Sequence, residues 1–292
     1  MIRVFCTVLA GLLGLAFGSF LNVCLSRWPE GESVVKPRSH CRSCRRTLTW
    51  WENVPVVSWV ALRGKCRTCG AIISWRYPAV ELAIGLLWAT VVWQAGAASF
   101  EQFIVSEKPY AAVFSVLLKM SFLWLLVALA MLDAEHLWLP NWLTIPGVVL
   151  GLINVIVGMF SARRYSIVEP GLFIAAFDWA GGVIAAAGLI LIIRWTYWLI
   201  RRREGIGLGD AKLMAMLGAW LGLSGALFCF GIGVVLGALF ALTALALPAS
   251  RRDSENWLAA KLPLGTFLCI GGIISALCGQ PIIEAYKRWA GF

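Results

Sequence analysis

Residues 204–222 read EGIGLGDAKLMAMLGAWLG and follow directly on the basic triplet Arg201, Arg202 and Arg203. Glycines at 205, 207 and 209 and the carboxylate of Asp210 stand at the mouth of an apolar segment. An aspartate ionises at high cost beside hydrocarbon, so its surroundings decide how it is read. Composition settles them: hydrophobic residues make up 60% of the chain and charged residues 14%, with a mean hydropathy of +0.82. Soluble domains average about half and about a quarter. Runs long enough to cross ~30 Å of hydrocarbon recur at 4–25, 79–97, 111–132, 143–160, 176–200, 211–225, 227–248 and 264–280. The expected fold is an all-α polytopic membrane protein with about eight transmembrane helices. The sixth run, opened by Asp210, is short, and a tight turn near Ser224 and Gly225 is expected to separate it from the seventh.

Three parts are expected: a first transmembrane helix within 1–26, a cytoplasmic segment over 27–78, and a seven-helix membrane domain over 79–292. The first run lacks a strongly basic start and is too long for a signal-peptide core, so it reads as a retained helix. Its GLAFGSFLN carries small residues at helix-packing spacing. Basic residues orient the spans. Segment 27–78 holds ten Lys and Arg, 201–210 adds Arg201, Arg202 and Arg203, and 249–262 adds Arg251, Arg252 and Lys261. The opposite set is sparser: Arg3, Lys108, Arg163, Arg164, Lys287 and Arg288. The positive-inside rule then puts both termini outside and the basic loops in the cytoplasm. The net charge of +10 reads as topology and attraction to anionic membrane lipid, with no nucleic-acid partner implied. Asp133, at the end of the third run, and Asp210 share the cytoplasmic boundary, whereas Asp178 falls at the other.

The one sizeable soluble segment contains HCRSC and KCRTC. The C-x2-C pairs Cys41/Cys44 and Cys66/Cys69 are separated by 21 residues, close to the spacing of four-cysteine zinc ribbons. Four thiolates close a tetrahedral site, so such a zinc is structural, and its binding energy folds a segment too small for a core of its own. Free thiols or two disulfides are the alternatives; cytoplasmic placement disfavours disulfides, and neighbouring Arg and Lys favour thiolates. His40 is an alternative ligand. Cys6, Cys24, Cys229, Cys269 and Cys278 read as small buried apolar residues.

If Asp133 and Asp210 meet, they can share one proton. The ionised carboxylate then activates a water while the protonated one donates to the carbonyl under attack. From the residues alone a plainer reading stands beside this: Asp210 as a helix N-cap after a glycine turn, and Asp133 as a helix end. Glu135 or His136 could take the place of Asp133 as the acid.

In order along nearly the whole chain, GLAFGSFLNVCLSRWP, WENVPVVSW, RGKC, RYPAVEL, LDAEHLWLPNWLTIPG and REGIGLGDAKLMAMLGAWLG resemble the prepilin peptidases, or type IV leader peptidases. Residues 207–210 match the signature of the G-x-G-D intramembrane aspartyl proteases. The resemblance implies that Asp133 and Asp210 are the catalytic pair, with Gly207 and Gly209 supporting the catalytic loop. LPLGTFLCIGG is similar to the family's Pro-Phe-Gly-Pro-Phe-Leu element, with Leu264 and Thr266 standing where it has Phe and its second Pro.

The resemblance further implies an enzyme of the bacterial inner membrane with two activities. It cuts the leader of type IV prepilins and pseudopilins after a glycine, at the cytoplasmic face, and then N-methylates the new terminus, usually Phe, using S-adenosylmethionine. The family's Gly-Lys before the third cysteine, tied to methylation, is present as Gly64 and Lys65; Glu52 and Asn53 are further candidates. No glycine-rich nucleotide-binding strand–turn–helix is visible. Because both leader and cytoplasmic loops are basic, recognition is expected to rest on the substrate helix, local acids or lipid. Other readings are a peptidase without the methyl transfer, a transporter that binds an ion through Asp133, Asp210 and broken helices, and a non-enzymatic assembly factor. The boundary position of the aspartates disfavours the transporter, and unaltered pilin processing in aspartate variants would mark the assembly factor.

Overall fold

The computed structural model describes residues 1–105, 109–162, 172–203, 207–246 and 262–290. Lys108, Arg163, Arg164, Arg251, Arg252 and Lys261, which contribute to the sidedness argument, lie outside the described residues, as do 204–206 of the glycine-rich turn. The elements in order are α1 (Ile2–Arg27), a 3-10 turn at Trp51–Asn53, α2 (Val57–Ala61), α3 (Arg76–Val105), α4 (Pro109–His136), α5 (Asn141–Ala162), α6 (Leu172–Arg201), α7 (Leu208–Ala246) and α8 (Leu264–Ala290). Six helices are long and apolar enough to cross a membrane, and Leu264–Gly279 adds a shorter apolar stretch. The described residues contain no β-strand beyond two isolated bridges, His40 with Thr47 and Lys65 with Ile72. The chain divides into two compact units, Met1–Ala128 and Leu129–Phe292.

In the first unit, α1 and α3 cross where glycines remove side chains from both backbones. A Cβ on Gly14 would lie 2.8 Å from the Cα of Gly85, and one on Gly18 would lie 2.7 Å from the Cα of Glu81. Close backbone approach through small residues is how apolar helices associate in a solvent that gives them no hydrophobic drive. Polar donors inside the bundle find carbonyl partners, as lipid requires. Asn22 Nδ2 donates to the Tyr77 carbonyl at 2.9 Å, and Trp88 Nε1 donates to that of Met120 at 3.0 Å.

In the second unit α7 spans 39 residues, and Gly222 interrupts it with a φ of +67°. Gly209 and Gly265 both face Leu139, so α7 and α8 begin at the same end. Gly237 faces Phe267, which is again that end. A straight helix would carry Gly237 about 42 Å from Gly209, so the chain must double back. The reversal falls at Gly222 rather than at Ser224 and Gly225, because that glycine carries the left-handed φ. Counting both limbs of α7 and α8 gives eight apolar passes. The limb 208–221 measures about 21 Å, short of the ~30 Å of hydrocarbon. It packs on α6 where Gly218 meets Gly182, and Trp220 Nε1 ties it to the Gly147 carbonyl of α5 at 2.8 Å.

Candidate active site and metal centre

Asp133 belongs to the last turn of α4. The Leu137 N–H donates to the Asp133 carbonyl at 2.9 Å, and Leu137 itself takes a φ of +51°, a left-handed close that turns the chain into the short link to α5. The Asp133 carboxylate is 5% exposed and accepts at Oδ2 from the Thr266 backbone N–H (2.7 Å) and from Thr266 Oγ1 (3.2 Å). Asp210, 9% exposed, is the third residue of α7. Its Oδ2 accepts from the Gly207 N–H at 3.3 Å. It is therefore not the N-cap; its side chain reaches back to the residue before the helix, as the acidic member of a capping box does. The two carboxylates flank one side chain: Gly209, next to Asp210, faces Leu139, and Gly265, which faces the same leucine, would put a Cβ 2.9 Å from Asp133 Oδ2.

Leu139 fixes the space between them. A Cβ on Gly209 would lie 3.1 Å from the Leu139 Cβ, and one on Gly265 would lie 3.0 Å from Leu139 Cδ1. The second glycine of G-x-G-D is thus needed for packing. Lys212 Nζ donates to Asn141 Oδ1 at 2.7 Å, joining the first turns of α7 and α5. Glu135 and His136 pair with each other at 3.9 Å on the exposed surface, apart from the carboxylate pair. Asp178 is exposed and precedes Gly182, which packs by the Gly222 reversal, so it belongs to the far end of this unit. Thr266 as the group that holds Asp133 was not legible as a contact. Its only sequence signal was the departure from the family's proline, which has no N–H to donate.

The four cysteines of 41–69 come together. Their Sγ atoms all lie within 4.8 Å of one another, and Cys41 Sγ stands 3.8 Å from Cys69 Sγ. Tetrahedral zinc with Zn–S of about 2.3 Å requires S–S separations of about 3.8 Å, so the residues fit that ion. Two like-built knuckles present them. Cys41 N–H donates to the Arg46 carbonyl and Arg45 N–H to that of Cys41; Cys66 N–H and Gly70 N–H repeat the pattern with Ala71 and Cys66. Arg45 and Gly70 take the left-handed conformation at matching positions. Backbone N–H groups of Cys69 and Thr68 draw the Cys66 thiol down to about 6, toward the thiolate that binds metal. All nine cysteines are free of disulfides, and the site is a candidate zinc centre. His40 Nδ1 lies 3.0 Å from the Arg38 carbonyl, a local contact outside the cysteine cluster.

Of the four residues proposed for methyl transfer, Glu52 is buried in an ion pair with Arg46 and accepts from Thr49 N–H (2.9 Å) and Thr49 Oγ1 (2.6 Å). The Arg46 guanidinium, and then Thr49, hold its carboxyl down to about 2. Gly64 takes a φ of +67° under the Trp59 ring, where a Cβ would lie 3.0 Å from Cζ2. Lys65 is exposed and its N–H closes the turn on the Leu62 carbonyl. Glu52 and Asn53 line a cavity of about 670 Å³; Gly64 and Lys65 are not among its lining residues.

Two family models cover most of the chain: the bacterial peptidase A24 N-terminal domain matches residues 12–95, and the type IV leader peptidase family matches 120–242. A prepilin leader peptidase/N-methyltransferase of Pseudomonas aeruginosa is 34% identical over 99% of this chain and 95% of its own length. Relatives of the same name from Stutzerimonas stutzeri and Xanthomonas campestris are each 32% identical, over 96% of this chain and 93% of theirs. No solved structure matches the chain significantly.

Proposed function

Because this chain belongs to the type IV leader peptidase family, we propose that it removes the leader of prepilins and pseudopilins with Asp133 and Asp210 and then methylates the new N-terminus. It is a membrane enzyme, an intramembrane aspartyl protease by family. The observation that supports the reading is a pair of buried carboxylates, at the end of α4 and in the first turn of α7, beside Leu139. One carboxylate takes a proton from the attacking water, and the protonated partner donates to the scissile carbonyl. The C–N bond then breaks, and the amine leaves with a proton from the pair. The Thr266 bonds hold Oδ2 of Asp133 and so fix the orientation of its carboxylate.

The distribution of Lys and Arg supports an inner-membrane topology with both termini outside and with the cysteine segment and carboxylate pair on the cytoplasmic side. That side is where a prepilin presents its scissile bond, after a glycine at the end of an apolar helix. The domain division of the reading is a first helix over 1–26, a structural zinc segment over 27–78 held by Cys41, Cys44, Cys66 and Cys69, and the catalytic membrane domain over 79–292. S-Adenosylmethionine, when bound, would supply an electrophilic methyl group for the new terminal amine.

The test is incubation of the purified protein with a synthetic prepilin and S-adenosylmethionine, followed by mass spectrometry, which resolves leader loss from methyl gain. Asp133→Asn and Asp210→Asn should each abolish leader loss in protein that retains its fold and zinc, because an amide cannot exchange the shared proton. Wild-type cleavage by a variant lacking both carboxylates would sink the mechanism.

A further inference from the structure

The cavity of about 670 Å³ in the first unit is bounded by the end of α1, the cysteine segment and the first turns of α3. Its volume falls within the roughly 300–1,000 Å³ of small-molecule sites. Two polar side chains in its lining are almost fully buried: Asn22 is 1% exposed and Glu81 7%. Asn22 spends its amide N–H on the Tyr77 carbonyl, while its Oδ1 is buried without a hydrogen-bond partner. A buried acceptor left without a donor is destabilising, so a donor supplied from the cavity would recover that loss. Glu81 Oε2 accepts from the Val56 N–H at 2.7 Å, and Ser19 supplies a second, equally neutral partner.

The rest of the lining narrows the ligand. Trp59 and Tyr77 contribute aromatic rings, on which a flat heterocycle stacks and over which a cation is attracted. Two lining arginines are already engaged: Arg27 donates to the carbonyls of Ser33 and Pro37, and Arg42 to that of Ser26 while pairing with Glu30. Neither bonds to Asn22 or Glu81, so the buried polar wall is left for whatever enters to meet. Arg45, also in the lining, offers a charge for a carboxylate at the wider end. A carboxyl group and an open acceptor beside aromatic rings, with Arg45 and Arg67 also in the lining and Arg67 over the Trp51 ring at 5.2 Å, match a zwitterion that bears a second positive charge and a purine.

We propose that this cavity binds the sulfonium nucleoside methyl donor, with Asn22 and Glu81 as its buried polar contacts and Trp59 and Tyr77 as its stacking walls. The proposal rests on the methyl-transfer half of the function above. It assigns to helices α1 and α3 a part that sequence reading gave to Glu52, Asn53, Gly64 and Lys65.

The test is equilibrium binding of radiolabelled S-adenosylmethionine to the full-length zinc-loaded protein in detergent, with zinc content and thermal midpoint as fold controls. Glu81→Gln should weaken binding about tenfold or more, and Asn22→Ala several-fold. Ser26→Phe, which puts bulk into the same cavity without touching the Glu81 bonds, should abolish it. S-Adenosylhomocysteine, which lacks the charge, should compete more weakly. Should Glu81→Gln lose zinc, Ser26→Phe decides. Unchanged affinity in Ser26→Phe and in folded Glu81→Gln overturns the site while leaving methyl transfer standing. A wild-type protein that binds no donor overturns the methyl-transfer reading together with the site. Displacement by a peptide beginning with phenylalanine, but not by S-adenosylhomocysteine, would put the substrate ammonium in the cavity and overturn the assignment.

Discussion

Gly209→Ala tests whether the carboxylate pair is positioned by the packing around Leu139. The added Cβ would meet Leu139 Cβ at 3.1 Å, Cδ1 at 3.2 Å and Cγ at 3.6 Å. Carbon pairs are at ease at about 3.5–4.0 Å, so the first two contacts are short by about 0.3–0.4 Å. Leu139 cannot yield toward α8, because its Cδ1 already fills the space above Gly265. Overpacking of this kind costs about 1–3 kcal/mol, offset by up to about 1 kcal/mol from replacing glycine in a helix. The net cost, about 0–2 kcal/mol, leaves the protein folded. The displacement instead passes to the residue after Gly209, which is Asp210, or to the residue after Gly265, which is Thr266 on Asp133. Misplacing a reacting group by about 1 Å costs on the order of a hundredfold, so a shift of a few tenths should cost about tenfold. The assay is kcat/KM for a synthetic prepilin in detergent micelles, with zinc content and thermal midpoint measured alongside. Leu139→Ala in the Gly209→Ala background removes the Cδ1 and Cγ contacts but keeps the Cβ contact at 3.1 Å, now free to shift because nothing ties it to Gly265, and should restore part of the lost rate. Wild-type cleavage in Gly209→Ala, or no recovery in the double variant, would refute the packing argument.

The cysteine cluster should carry about one zinc per chain by elemental analysis, and Cys41→Ser with Cys44→Ser should remove the metal and unfold 27–78 while the membrane helices persist. Asp178→Asn should cleave prepilin at the wild-type rate, since Asp178 is exposed at the far end of its unit; loss of cleavage in folded, inserted protein would show that the sidedness is wrong. Glu52, held down to about 2 by Arg46 and Thr49 against an ordinary value of about 4.3, stabilises the cysteine segment fully above that ordinary value and loses its contribution as pH falls toward 2. Glu52→Gln should therefore lower the thermal midpoint by the same amount at pH 6, 7 and 8, and a loss that varied across that range would rule the ion pair out as its cause.

What the sequence made legible was whatever depends on neighbours along the chain. Hydropathy placed the helices, although two run on to Val105 and Ala290, past the expected ends at 97 and 280, and C-x2-C spacing announced both knuckles, because each needs only six consecutive residues and one left-handed turn, at Arg45 or Gly70. The reversal in α7 was legible as an event but not in position. LGLSG offers glycines at 222 and 225 with a serine between, and only packing decides which of them takes the left-handed φ. Gly225 instead gives its carbonyl to Ser275 Oγ, at 3.4 Å, so its place is fixed by α8, fifty residues away. The same distance hid the support of Asp133. In a soluble protein a polar stripe would have marked the faces that must meet, but in lipid both faces of α4, α7 and α8 are apolar and the stripe is absent. The marks that remain are small residues, where backbones touch, and single polar atoms whose partners lie on another helix. Asn22, Glu81 and Thr266 are of this second kind. Each sits in an apolar helix at a position that pattern alone would fill with hydrocarbon, and each has a buried polar atom that another element, or a ligand, must satisfy.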